Sequence, residues 1–442
     1  MLSTAAYGAL AATGCARPWP APGAATLSPP PDIDNTGAQN VSGALSYWLA
    51  AAGKPGDVFQ LRRGPGYAPG VYWIPQGILI NKPLTLDLNG CWLYTGPTLG
   101  DSDPHFEQNR TRFPSLWPDH QPGHPQHRWC VCVGADDVTI TSSLPHARIQ
   151  GAGRVVRYRG DNKAMPEGLL YNAGLEDQAG IIVGLPNGTA DVHNTDIDLT
   201  NIAVEYVLGD GVTCFPRGVG PVRIHGRTLG PKVVNANVVN PGGEERLGAH
   251  GGLGGTIVAG GDGVDRWQPT VNVYPGIHHT GRHGFATDWS VRDLTIEDIS
   301  VWRVGRAFVD LEMAGANARG HNIAIRRCET GHAYLNWIAN GAKGSLENFV
   351  VEDNVSYTCI GVAASGPADG DRGTNWRIRR NRGQLRQVGD GSVVLRTTRV
   401  DGLTILDNYN TRSPVSPGID LGTSTGVTVA PTENTQFPVE VA

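Results

Sequence analysis

Apolar and polar positions alternate through the last third of the chain, and the alternation itself recurs. Leu294-Thr295-Ile296, Ile323-Ala324-Ile325, Phe349-Val350-Val351, Trp376-Arg377-Ile378, Leu403-Thr404-Ile405 and Val427-Thr428-Val429 each set two apolar residues about one outward position. Period two inside a unit predicts strands. The first residues of successive units are 29, 26, 27, 27 and 24 apart, and a near-constant period of this size predicts a solenoid. One such unit cannot bury its apolar face alone, so neighbours must stack. The expected fold is all-β, a single-stranded right-handed parallel β-helix with one coil per repeat.

The same logic runs backwards through the chain. Val58-Phe59-Gln60-Leu61, Val71-Tyr72-Trp73-Ile74 and Leu84 to Leu88 read as the first coils, with Val138-Thr139-Ile140 and Ile197-Asp198-Leu199 further on. Before them, Leu45, Trp48 and Leu49 form an apolar stripe at helical spacing. A helix from Val41 to Ala52, capped by Asn40 and stopped at Gly53, is expected to plug the open N-terminal end, which would otherwise show unpaired strand edges. Residues 1–31 are Ala/Pro-rich and read as an arm or linker that only an outside partner would order. Residues 32–430 form the β-helix, with irregular insertions at about 95–128 and 226–284, and 431–442 is a tail.

Composition refines this picture in a few places. The 60 glycines suit coil corners, where positive φ is needed. A net charge of −5 gives no reason to expect nucleic acid as a partner. No stretch is long and apolar enough to span a membrane. Met1 to Cys15 ends in Ala12-Thr13-Gly14-Cys15, which loosely resembles a lipoprotein cleavage site but lacks the charged start of a signal peptide. None of the seven cysteines forms a CxxC pair. Cys130 and Cys132 lie two apart and would face one side of a strand, as a thiol pair, half a metal site or buried apolar thiols.

The opening Asp32-Ile33-Asp34-Asn35-Thr36-Gly37, with the helix and Val71-Tyr72-Trp73-Ile74-Pro75, resembles the start of the pectate-lyase-superfamily β-helix. Gly281-Arg282-His283-Gly284-Phe285-Ala286 through Val309-Asp310-Leu311-Glu312 resembles β-helix proteins of actinobacteria and their phages, where such chains look like minor tail proteins or tailspikes. The resemblance spans about residues 32–430. It implies the fold and a polysaccharide partner, but this superfamily mixes lyases, hydrolases, isomerases and binding proteins. Trimers are familiar among β-helix tailspikes, although nothing in this sequence demands a homotrimer.

Candidate chemistry gathers in the same stretch. Asp310 and Glu312 alternate with Val309, Leu311 and Met313, so the carboxylates share one face, expected to be the outer one. Aligning coils by their glycines stacks Asp288 on Glu312, Asp310 on Asn336, Trp337 on Leu311, and Arg282 on Arg306 and His332. Stacked carboxylates would lie about 5 Å apart, as in retaining glycosidases. Asp288, Asp310, Glu312, Arg282 and Arg306 are therefore the candidate catalytic residues. His283, Trp289, His332, Tyr334 and Asn336 are the candidate sugar contacts. The same charges equally fit a surface salt-bridge ladder. No metal site is expected, and Ca²⁺ enters only under a lyase reading, where an Arg would take the α-proton.

Asn194-Thr195-Asp196, Gly209-Asp210-Gly211 and Arg282-His283-Gly284 superficially resemble polygalacturonase motifs. They lack the paired Asp-Asp and the Gly-His-Gly, so that chemistry is not expected. The run from His278 to His283 lacks zinc-site spacing and reads as loop histidines contacting sugar or backbone. The expected function is a phage tail-associated protein that contacts host cell-envelope polysaccharide, and cleaves it if the carboxylates are catalytic. It would be held in the virion tail by other tail proteins through residues 1–35. The alternative is a secreted polysaccharide lyase or glycoside hydrolase.

Overall fold

The structure is a computed structural model of the 442-residue chain. It describes residues 23–95, 128–151, 178–185, 191–205, 207, 209–214, 218–228, 255–259, 265–269, 275–280, 283–287 and 290–304. Further on it describes 307–312, 318–331, 335–340, 345–356, 362–365, 373–383, 395–410, 419–429 and 439–440.

The chain winds through three long sheets in turn. Among the described residues, sheet A has twelve strands, from Thr26–Leu27 to Thr428–Val429. Among the same residues sheet B has eleven, from Thr36–Asn40 to Tyr409–Asn410, and sheet C eleven, from Ile78–Ile80 to Val439–Glu440. Each strand pairs in parallel with its counterpart one coil away, which makes the chain a parallel β-helix. The repeat units fall in sheet A in the expected register, with Leu294 beside Ile323, Ile323 beside Phe349 and Trp376 beside Leu403. These inward residues form one continuous core with Ile140, Ile197 and Ile224 of earlier coils. Each buried side chain of this size contributes about 1.5–3 kcal/mol. Trp376 meets Phe349 edge-on at 5.4 Å and donates its indole N–H to Leu346 O at 2.8 Å, so its polar atom is satisfied inside the core.

The units also carry residues that a plain strand would not hold. Asp293, Asn322, Asn348 and Asn375 have φ of 51°, 55°, 54° and 56°. Asn and Asp tolerate this left-handed conformation better than other residues with a Cβ. Each one kinks the strand between two inward positions. A second left-handed column, Asp298, Arg327, Asp353, Arg380 and Asp407, turns the chain from sheet A to sheet B. Just past that corner, Asn354, Asn381 and Asn408 are buried and stacked. Each Oδ1 accepts the backbone N–H of the preceding coil, Cys328 at 2.9 Å, Asn354 at 3.1 Å and Asn381 at 3.1 Å. Each Nδ2 donates to a strand carbonyl, Ile325 O, Val351 O and Ile378 O.

Several expectations need correction. The helix runs Ser42–Ala51; its N-cap is Val41, and Asn40 stands one residue earlier, where its Oδ1 accepts Ser42 N–H at 3.1 Å. Leu45, Trp48 and Leu49 join the core, and the Ser42 and Ser46 hydroxyls accept the N–H groups of Gln76 and Leu79 at the first edge of sheet C. Residues 23–31 make contacts within the chain itself. Thr26–Leu27 pairs with Val58 and Phe59, and the Arg62 guanidinium donates to Pro29 O, Pro31 O and Ile33 O. The stretch 226–284 contains an antiparallel hairpin, Gly255–Ala259 with Asp265–Pro269, and Gly276–Thr280 already belongs to sheet B. The expected tail supplies Val439–Glu440 to sheet C. The insertion at 95–128 lies outside the described residues except at its two ends.

Candidate functional site

Three ionisable side chains from three successive coils meet at the corner where sheet B passes into sheet C. Asp210 stands two residues before Val212 and His283 two before Phe285, and Val212 and Phe285 pair in register. Asp210 and His283 are therefore brought one above the other by the coil repeat. Asp310 comes from the next coil, on the strand Ala307–Leu311, opposite Ala286. His283 Nδ1 lies 3.1 Å from Asp210 Oδ1, and its Nε2 lies 3.2 Å from Asp310 Oδ2. The side chains of His283, Asp210 and Asp310 are 0%, 7% and 3% exposed.

Backbone and hydroxyl contacts hold the arrangement. The His283 N–H donates to Asp210 Oδ1 at 3.0 Å, and the Thr280 hydroxyl donates to His283 O at 3.0 Å. The Thr213 hydroxyl reaches Asp210 Oδ2 at 3.5 Å. Neither ring contact is aligned as a hydrogen bond, and Asp310 Oδ1 has no hydrogen-bond partner among the described residues. A neutral imidazole donates through one nitrogen only and accepts at the other. An imidazole between two carboxylates can thus take a proton on one side and release it on the other, which is the chemistry of a proton relay.

A second buried network lies on the outer face of sheet B. The Arg148 guanidinium sits 4.1 Å above the Trp92 ring, and its Nη1 lies 2.8 Å from Glu205 Oε1. Glu205 Oε2 is 3.5 Å from His278 Nδ1. All four residues are at most 4% exposed. Burial of charge demands such pairing, because an isolated buried ion costs several kcal/mol.

The outer face of sheet A carries a third, more exposed set. Glu297 Oε2 accepts from Arg326 Nε at 2.8 Å and Arg327 Nη2 at 2.7 Å, while its Oε1 accepts from Arg223 Nε at 2.9 Å. Burial pushes the Glu297 carboxyl up, but these three arginines outweigh it and hold the group at about 2. Arg327 and Arg380 each fork onto the aspartate one coil back, Asp298 at 2.8 and 2.8 Å and Asp353 at 2.7 and 2.7 Å. The Arg380 hydrogen bond, working against burial, lowers the Asp353 carboxyl.

The structure treats the expected site residues unequally. Asp310 is on the outer face of sheet C as expected, yet it is buried and meets His283. Asp310 stands opposite Ile338, not Asn336, and Trp337 stands opposite Val309, not Leu311. Glu312 is half-buried at the end of that strand. His283 and His278 face carboxylates inside the protein. Arg282, Asp288, Trp289, Arg306, His332 and Tyr334 lie outside the described residues, as does the side chain of Asn336.

A salt-bridge ladder runs along sheet A. Asp196 contacts His225 there, at 3.1 Å, so the Asn194-Thr195-Asp196 motif does not join Asp210 and His283. Asp210 entered the sequence reading only through the incomplete Gly209-Asp210-Gly211 motif and not as a candidate, although the shared offset of Asp210 and His283 before their strands was visible. Cys130 and Cys132 turn to opposite sides, one into the core and one into an outer cluster with Trp129 and Ile182, so they form no pair. Burial pushes the Cys130 thiol up to about 12. Among the described residues no group of three or more His, Cys, Asp or Glu can hold a metal ion, and no helix is long and apolar enough to cross a membrane.

No protein-family model matches the chain, and no curated protein matches it in sequence. Solved structures with a similar course include the family 28 exopolygalacturonase of Yersinia enterocolitica, at 9% identity over 92% of this chain and 76% of that one, with a TM-score of 0.47. DFA-IIIase from Arthrobacter chlorophenolicus A6 matches at 13% identity over 94% and 96%, with a TM-score of 0.42. The enzymatically active domain of tailspike protein 2 of bacteriophage CBA120 matches at 12% identity over 88% of this chain, with a TM-score of 0.41. The chain spans 43% of the length of that tailspike domain.

Proposed function

We propose that this chain is a phage tail-associated β-helix protein, of minor tail or tailspike type, that contacts host cell-envelope polysaccharide. One observation carries the reading. The outer face of sheet A carries interlocked polar ladders, and the large hydrophobic residues exposed among the described residues are Tyr47 and Tyr67. Stable protein partners are gripped through apolar and aromatic anchors. A long, repeating, hydrated surface instead suits a hydrated, repeating polymer. On this reading the coils are right-handed, as parallel crossovers are. The helix Ser42–Ala51 closes the N-terminal end, and residues 1–35 face the other virion proteins.

The buried Asp210–His283–Asp310 relay favours a second reading, a secreted glycoside hydrolase or polysaccharide lyase. A positioned imidazole beside carboxylates is the equipment of general acid–base catalysis. The two readings separate in one experiment. The whole chain is incubated with a panel of envelope polysaccharides, and retention, new reducing ends and the ultraviolet absorbance of unsaturated uronides are followed. Wild type is compared with His283→Gln, Asp310→Asn and Glu312→Gln. Retention without cleavage in every form is the expected result. New reducing ends that disappear in His283→Gln and Asp310→Asn would establish the hydrolase, and unsaturated ends a lyase. Neither retention nor cleavage would end the polysaccharide reading.

A further inference from the structure

We propose that the outer face of sheet A, between the strands Val291–Glu297 and Val400–Leu406, is the track for the polysaccharide, and that the chain it takes is neutral and linear. The inference rests on the polysaccharide reading above and adds the place and the class of glycan.

Three columns run along this face, in register from coil to coil. The central one is Thr295, Ala324, Val350, Arg377 and Thr404. Apart from Arg377 it is a strip of small, half-buried side chains. On one side runs an amide ladder, in which Asn322 donates to Asp293 at 2.8 Å, Asn348 to Asn322 at 3.0 Å and Asn375 to Asn348 at 2.7 Å. On the other side Glu297, Arg326, Glu352 and Arg379 alternate in register. Arg326 Nε is 2.8 Å from Glu297, and Arg379 Nε is 2.5 Å from Glu352.

Each column says something about the ligand. The side columns are tied to themselves, so a ligand would not have to freeze them, and a contact made there keeps more of its free energy. The strip between them is smooth enough for sugar rings, with amide groups along one edge. The charged column cancels itself, two carboxylates against two guanidiniums, so the face has no field to draw in a polyanion. Arg377 is the exception. It stands in the strip with no ion-pair partner among the described residues, and its guanidinium offers five N–H donors to hydroxyl or ring oxygens. Coils repeat at about 4.8 Å, so the same groups recur along the axis, which fits a repeating chain better than a compact ligand.

The test uses the full chain in affinity electrophoresis and calorimetry, with a neutral β-glucan, a neutral mannan and polygalacturonate as probes. Ala324→Glu puts bulk and charge into the strip, and Arg377→Ala removes its donor. Thr139→Glu, outward on an early strand of the same sheet, is the control. All four proteins are first matched by circular dichroism and thermal unfolding. The expected result is binding of a neutral glycan that changes little with salt. Arg377→Ala, by losing one charge-assisted hydrogen bond, and Ala324→Glu, by crowding the strip, should each weaken it about tenfold, and Thr139→Glu should not. Unchanged binding in both strip variants would overturn the track while leaving the polysaccharide reading in place. A preference for polygalacturonate would overturn the neutral class. No binding by wild type to any probe would overturn both track and class.

Discussion

Asn381→Ala is expected to lower the stability of the chain by about 4 kcal/mol, measured by urea unfolding followed by far-ultraviolet circular dichroism. Asn381 is 1% exposed and sits in the middle of the buried amide ladder. Its Oδ1 accepts both the backbone N–H and the side-chain N–H of Asn354, at 3.1 and 2.9 Å. Its Nδ2 donates to Val351 O at 3.0 Å and to Asn408 Oδ1 at 2.9 Å. Alanine removes both ends of the amide and takes one partner from each of four buried groups, although Asn408 Oδ1 keeps the Asn381 backbone N–H at 3.1 Å and the Asn354 amide keeps Ile325 O at 3.0 Å. Each stranded group costs about 1–3 kcal/mol, and the costs do not fully add because the corner can relax. Asn381→Asp separates the two halves of the effect, since it keeps the acceptor and loses the donor. A loss below about 1 kcal/mol in the alanine variant would mean that water replaces the ladder, and that the stacking of these coils rests on the apolar core alone.

The ladder was half legible in the sequence. Asn354, Asn381 and Asn408 each follow the last inward residue of their unit, Val351, Ile378 and Ile405, by three positions. Period and alternation placed the sheet A strands correctly because the inward residues there are large and the corner into sheet B is short. Register on sheet C was not legible from the same spacing. Arg319 pairs with Ser345 on sheet A, but Asp310 pairs with Ile338 on sheet C, two residues further on than the glycine alignment puts it. Corner length varies from coil to coil, so an alignment anchored on turn glycines slips between sheets. That slip misplaced Asn336 and Trp337.

The candidate site shows a different limit. Strand alternation correctly turned Asp310 outward, but outward is not the same as exposed. Its burial depends on what the rest of the chain lays against sheet C, which no local pattern reports. Asp210 and His283 were legible as a stacked pair, because both precede a paired strand by the same two residues. Asp210 was set aside because its motif matched no complete catalytic signature, and His283 was kept only as a sugar contact. Coil position, rather than motif completeness, is the better guide in a solenoid, since the fold stacks equal positions whatever residues they carry.

Acid is expected to weaken the chain through Glu297, with the loss falling between pH 4.5, the ordinary value of its carboxyl, and about 2, its value in the folded protein. A carboxyl held low in the folded state contributes its full stability above the unfolded value and loses it as the pH falls through the folded one. The Glu297 side chain is 5% exposed, so solvent screens it little, and a difference of this size corresponds to about 3 kcal/mol. Three arginines from neighbouring strands and the corner converge on that carboxylate, so its protonation loosens three coils together. Glu297→Gln should therefore lower stability at pH 7 by about 3 kcal/mol and flatten the acid dependence in this window. Glu347→Gln, on the same face but with its nearest guanidinium, Arg319, at 3.9 Å, should do neither. Thermal unfolding of the three proteins across the window decides it. Parallel pH curves for wild type and Glu297→Gln would mean that the acid sensitivity does not lie at Glu297, and would make the sheet A ladder a surface feature with little bearing on how the coils hold together.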